Sequence, residues 1–91
     1  MFTLVWTAHF TRSAEKFKKR HPELKKKVAS ILRDLEKDPF QPHLKYHYLG
    51  GKYKGMQAIS ITDSYRITMT IMITEKEIHM IDIGTHDEVY G

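Results

Sequence analysis

The residues best suited to chemistry lie near the C-terminus, in the run Ile83-Gly84-Thr85-His86-Asp87-Glu88-Val89-Tyr90. His86 carries an imidazole, the side chain that gives and takes protons most readily near neutral pH. Asp87 and Glu88 are its acidic neighbours. Tyr90, four residues on, offers a hydroxyl to a phosphate oxygen or a ring to stack on a base. Arg66 sits in an apolar stretch, followed by Ile67, Thr68 and Met69. Its planar guanidinium can grip phosphate oxygens at two points, or pair with Asp63 or Asp87 on a solvated face. Tyr46-His47-Tyr48 and Lys52-Tyr53-Lys54 interleave aromatics with cations, a pattern suited to stacking unpaired bases while holding their backbone. Other chemistries lack their residues. His43 and His47 have the spacing of paired ligands but no helix to support it, and His9, His21 and His79 are scattered. No metal or cofactor is therefore expected. There is no glycine-rich phosphate loop, serine elbow or pair of carboxylates in a cleft.

These side chains must be positioned by one domain, residues 1–91, because a chain of 91 residues holds no more than one. The hydrophobic content of 41% and charged content of 29% are those of a folded protein. The chain has no cysteine, which excludes disulfides and thiolate metal sites and suits the cytoplasm. Met1–Phe10 lacks the basic start of a signal peptide, and no apolar run reaches the roughly 20 residues of a membrane span, so no membrane is expected. Charge is unevenly placed. Residues 1–45 hold 11 Lys/Arg against 5 Asp/Glu, whereas residues 46–91 hold 4 against 6. The basic half is where a polyanion or an acidic partner would dock.

Hydrophobic spacing divides the chain into elements. Phe2–Thr7 reads as a first or edge strand. Thr11 or Ser13 is expected to cap a helix running to about Arg20, with Ala14 and Phe17 on its apolar face. Pro22 suits the first turn of a second helix, in which Leu24, Val28, Ile31, Leu32 and Leu35 recur at helical spacing. Asp38-Pro39 ends it. Tyr46–Leu49 is a candidate strand. From Gly55 the period becomes two, and Met56–Ile61, Tyr65–Ile73 and Ile78–Ile83 read as an antiparallel meander. The expected fold is α+β: an N-terminal strand and a two-helix hairpin packed on a twisted antiparallel sheet of about four strands.

Burial suggests the register. A three-residue loop, Thr62–Ser64, pairs Ile61 with Tyr65 and sets Ser60 opposite Arg66. A two-residue loop at Glu75-Lys76 pairs Ile73 with Ile78, which carries Arg66 opposite Thr85 and Tyr65 opposite His86. Ser60, Arg66 and His86 are thus expected at one end of the sheet. In the last strand Ile78, Met80, Ile81 and Ile83 occupy both faces, so its register stays ambiguous.

Taken in order, the basic hairpin, Asp38-Pro39-Phe40, Leu49-Gly50-Gly51, Tyr53-Lys54-Gly55, Asp63-Ser64-Tyr65-Arg66-Ile67 and Ile83–Tyr90 resemble one family over nearly the whole chain. This is the RelE/StbE group of the RelE/ParE superfamily, toxins of type II toxin–antitoxin systems also called plasmid-stabilisation proteins, with a leaning to the YafQ-type branch. The resemblance implies a ribosome-dependent mRNA endoribonuclease that needs no metal and inhibits translation. In such toxins the RNA's own 2′-hydroxyl attacks the adjacent phosphate. The resemblance assigns Arg66 to the scissile phosphate, His86 to proton transfer, Tyr90 to orienting or stacking the RNA, and His47 to a histidine of YafQ-type sites. It gives RNA contacts to Lys52, Lys54, Tyr53 and Ser60. Relatives often carry lysine or histidine at the position of Ser60 and aspartate near Ser64, so one proton-transfer group is absent here unless His47 replaces it. The implied partners are the ribosome with its mRNA and a cognate antitoxin, in a toxin–antitoxin hetero-oligomer. Two other functions suit the same fold: a ParE-like inhibitor of DNA gyrase that cuts nothing, and a module that only binds its antitoxin.

Overall fold

Thr7 organises the start of the chain. The first strand, β1 (Thr3–Trp6), ends at this residue, and α1 (Ala8–Arg20) begins after it. The Thr7 hydroxyl accepts the Phe10 N–H at 3.0 Å and donates to the Met80 carbonyl at 3.0 Å. It is therefore both an N-cap and a tie to the sheet. The cap lies four residues before Thr11, because Ala8, His9 and Phe10 already belong to the helix. The last turn of α1 carries Lys18, Lys19 and Arg20, which complement the negative end of the helix dipole. A short 3₁₀ turn, Pro22–Leu24, leads into α2 (Lys25–Lys37). We describe residues 1–90 in a computed structural model.

Four further strands follow: β2 (His47–Tyr48), β3 (Gln57–Ser60), β4 (Tyr65–Met72) and β5 (Glu77–Thr85). The sheet order is β1-β5-β4-β3-β2. The last four strands form the expected antiparallel set. β1 joins β5 in parallel, with Thr3 beside Glu77 and Trp6 beside Met80, making a mixed five-stranded sheet. Helices α1 and α2 cover one face. Phe10, Phe17, Ile31 and Leu35 pack there against Ile59, Ile67, Met69, Ile78, Met80 and Ile83, all buried.

The register on β3 is as burial suggested, with Ser60 opposite Arg66 and the Ile61 N–H donating to the Tyr65 carbonyl at 2.8 Å. The second hairpin differs. Its turn takes in Ile73–Lys76, closed by the Lys76 N–H on the Ile73 carbonyl, so Ile71 rather than Ile73 faces Ile78. A β-bulge then shifts the ladder: Met69 faces Met80, Thr68 faces Asp82, and Ile81 is left without a partner. The bulge switches the side-chain parity of β5, so Met80 and Ile83 both reach the core although three residues apart. It also places Arg66 opposite Gly84 and Tyr65 opposite Thr85, one residue from the expected pairing.

Candidate active site

The chain does not simply turn after β5; it enters a short helix, α3 (His86–Tyr90). Thr85 and Glu88 make that helix begin where it does. The Thr85 N–H donates to Glu88 Oε1 at 2.9 Å, and the Glu88 N–H donates to the Thr85 hydroxyl at 3.2 Å. This reciprocal capping box satisfies two backbone donors at once. The Thr85-x-x-Glu88 spacing was available in the sequence as a helix-start signal and was missed there. Val89 is buried and anchors the helix.

His86 is the first residue of α3, with its side chain 65% exposed. Asp87 Oδ1 lies 3.6 Å from its Nδ1 and can steady the ring. Glu88, the other acidic neighbour, is turned to Thr85 and to Arg20 of α1, whose guanidinium is 3.3 Å away. The edge of the His86 ring meets Tyr90, one helical turn on, with centroids 4.4 Å apart at 74°. Tyr90 in turn packs on Tyr53, at 5.5 Å between centroids. Tyr53 lies in the 3₁₀ turn Gly51–Tyr53, and its hydroxyl donates to the Tyr90 carbonyl. The Lys52 ammonium lies 5.2 Å from the Tyr53 ring centre, and Lys54 is exposed beside it. A row of Lys52, Tyr53, Tyr90 and His86 is therefore assembled from two distant segments.

Arg66 lies on the sheet between Ser60 and Gly84, and His86 follows two residues after Gly84. Among the described residues Arg66 makes no ion pair; Asp63 lies near Lys45 and Asp87 near His86. Its Nε is buried and has no hydrogen-bond partner among the described residues, and the same holds for the Tyr90 hydroxyl. Thr68 Oγ1, two residues along β4 from Arg66, is a third such atom, and buried polar groups without a partner are uncommon in folded proteins. His47 faces Ala58, which faces Thr68, so it shares the sheet face of Ser60 and Arg66. The Lys45 carbonyl lies 2.9 Å from its Nδ1, which leaves Nε2 for other work.

The aromatic cluster around His47 divides. Tyr46 touches the core and packs between Phe40 and Tyr48, on the opposite side of the strand from His47. Burial, and then Tyr48, hold its phenol well above the usual tyrosine range, so it stays neutral. His43 is bound to Asp34 of α2 at 2.8 Å and has no part in a pair with His47. Among the described residues no three His, Asp or Glu side chains converge as metal ligands would.

Away from this site, α1 and α2 frame an apolar cavity of about 210 Å³, lined by Trp6, Phe10, Ala14, Val28 and Leu32 with Lys18 and Lys25 among its walls. Trp6 is 45% exposed. Among the described residues no helix is long and apolar enough to cross a membrane.

The Thr85 N–H holds the Glu88 carboxyl below its ordinary value of 4.5; burial opposes this, and the Thr85 hydroxyl, Arg20 and His21 add smaller pulls. A depressed carboxyl stabilises the fold above its unfolded-state value and loses that contribution as pH falls through the folded-state value. The capping box should therefore weaken as pH falls below about 4.5, seen as partial loss of protection of the Thr85 amide in hydrogen exchange. In Glu88→Gln that amide's protection should not change with pH over the same interval. The group is half exposed, so global stability should move little.

Comparison with known proteins places this geometry. The sequence profile of the family described as "Bacterial toxin of type II toxin-antitoxin system, YafQ" matches residues 2–91. The crystal structure of YafQ from E. coli strain BL21(DE3) superposes with a TM-score of 0.83 at 17% identity, covering 100% of both chains. A YoeB/ParE toxin from Agrobacterium tumefaciens gives 0.78 at 21% identity, over 93% of this chain and 99% of that one. The E. coli DinJ–YafQ complex gives 0.73 at 18% identity, with both chains covered in full. At such identities these likenesses establish the fold. Among curated proteins the sequence matches none.

Proposed function

This chain belongs to the YafQ family of bacterial toxins from type II toxin–antitoxin systems, and on that premise we propose that it is an endoribonuclease acting on ribosome-bound messenger RNA. The observation that carries this reading is the pairing of His86, exposed at the start of α3, with the unpartnered Arg66 Nε and Tyr90 hydroxyl two to four residues away in register or sequence. Cleavage by the RNA's own 2′-hydroxyl needs a proton acceptor, a proton donor for the departing 5′-oxygen, and positive charge on the pentacovalent phosphate. Arg66 supplies the charge, held in a partly buried place where it acts more strongly than in water. His86 moves one proton. His47, on the same face as Arg66, is the second proton-transfer group, in the absence of lysine or histidine at Ser60. Tyr53 and Tyr90 offer ring faces to bases, with Lys52 and Lys54 along the backbone. The purified chain should cut a message held on ribosomes and leave DNA gyrase supercoiling untouched. Gyrase inhibition without cut RNA would replace this reading with the ParE-like one.

An antitoxin partner follows from the same kinship. The apolar cavity between α1 and α2, with Lys18 and Lys25 among its walls, suits an amphipathic segment with acidic flanks. Paired reversal, Lys18→Glu with Lys25→Glu, should weaken binding of the neighbouring open reading frame's product about tenfold by calorimetry. Unchanged affinity would move the antitoxin to another surface.

A further inference from the structure

The proposed chemistry depends on where the backbone puts His86, and no element but α3 fixes that position. α3 has five residues. A helix of one turn has almost no stability of its own, because nucleation costs more than its few hydrogen bonds return. Buried Val89 and the Tyr53 clasp on Tyr90 hold its body, and Glu88 holds its start. The carboxylate accepts the Thr85 N–H at 2.9 Å with one oxygen and meets Arg20 at 3.3 Å with the other. Its own backbone N–H completes the capping box on the Thr85 hydroxyl. It thus links the end of β5, the start of α3 and the last turn of α1. Gly84 leaves the space this requires. A Cβ there would lie 2.9 Å from Glu88 Oε1 and 3.1 Å from Glu88 Cβ. Oε1 is a flexible end in principle, but here it is the atom bonded to Thr85. At φ values open to any residue, Gly84 is thus explained by close approach rather than by backbone conformation.

We propose that Glu88 is a positioning residue for His86: it acts through the Thr85 cap and Arg20 to fix the start of α3, where His86 follows two residues after Gly84, the strand partner of Arg66. The inference rests on the endoribonuclease reading. It is nevertheless separable from it, because cap geometry can be read without RNA. Glu88 touches neither substrate nor the proton in flight. Its loss leaves every proposed chemical group in place but lets α3 fray, so the productive orientation is sampled only part of the time. The effect belongs on the chemical step. Arg20 is the lesser support, because both members of its ion pair are more than half exposed or nearly so.

Two measurements test this on the 91-residue chain. In single-turnover cleavage of ribosome-bound message at saturating toxin, Glu88→Ala should lower the rate about tenfold with the binding constant unchanged, and Glu88→Gln, which can still cap, should recover most of it. Gly84→Ala should slow the wild-type chain similarly and add less in the Glu88→Ala background, where Oε1 and Cδ are gone and the Cβ at 3.1 Å is the remaining crowded atom. Independently, hydrogen exchange should show the Thr85 and Glu88 amides losing protection in Glu88→Ala and keeping it in Glu88→Gln, while core amides stay protected in both. Should wild type fail to cut RNA, the exchange result still decides the cap, and the failure belongs to the endoribonuclease reading. If Glu88→Ala cuts at the wild-type rate, or if its cap amides remain protected, the positioning role is wrong.

Discussion

Arg66→Ala should lower the rate of message cleavage by about 10²–10³-fold, the size expected when a charged donor aimed at transition-state charge is removed. Its effect on fold stability should be small or favourable. Arg66 makes no ion pair among the described residues, and its Nε is buried without a partner. Removing such a group relieves a desolvation cost of about 1–3 kcal/mol. Arg66→Lys separates charge from geometry. A lysine keeps the charge but loses the planar fork, so about tenfold of the loss should remain. Thermal melting alongside cleavage kinetics checks both halves. A variant that lost both stability and activity would make Arg66 a structural residue and remove it from the site.

The next largest effect is expected one residue along. Ile67 is fully buried between Ile59 and Ile83, in the row of β3, β4 and β5 on which the helices pack. Ile67→Ala should cost about 2–5 kcal/mol, the usual loss for such a truncation in a well-packed core. A domain of this size has only about 5–15 kcal/mol in total. Its melting temperature should therefore fall by roughly 10–30 °C. Urea titration should show a lower midpoint at an unchanged slope. Neighbouring positions on one strand thus have opposite signatures: Arg66 costs activity and spares stability, and Ile67 costs stability first. That contrast follows from alternation along a strand, which sends Ile67 to the core and Arg66 to the opposite face.

The same alternation explains what the sequence made legible. Ile59, Ile61, Tyr65 and Ile67 alternate cleanly, so the register of the first hairpin and the meeting of Ser60 with Arg66 could be read from burial alone. β5 could not be read in this way. Its apolar residues fall on both parities because Ile81 is a bulge, and a bulge leaves no mark in composition. The turn Ile73–Lys76 hid for a related reason: Ile73, an apolar residue, lies exposed in it, which the hydrophobic pattern counts as strand. Parallel pairing of β1 with β5 joins residues more than seventy positions apart and depends on the tertiary fold. At the site, residue types pointed to His86, Arg66 and Tyr90. Their supports, Thr85, Glu88 and the clasp of Tyr53 on Tyr90, follow from α3, a helix too short to show a hydrophobic period. Tyr46-His47-Tyr48 looked like one aromatic group, but a strand sends His47 to one side and its two tyrosines to the other.

This toxin is proposed to stop growth by cutting messages at a site containing His86. Primer extension on cellular messages after induction of the chain, with His86→Ala as the control, tests it most directly. The wild-type chain should give new 5′ ends within translated codons, and His86→Ala should lose those ends by at least about 10²-fold, together with its toxicity. Growth arrest without new ends, with His86→Ala equally toxic, would contradict it.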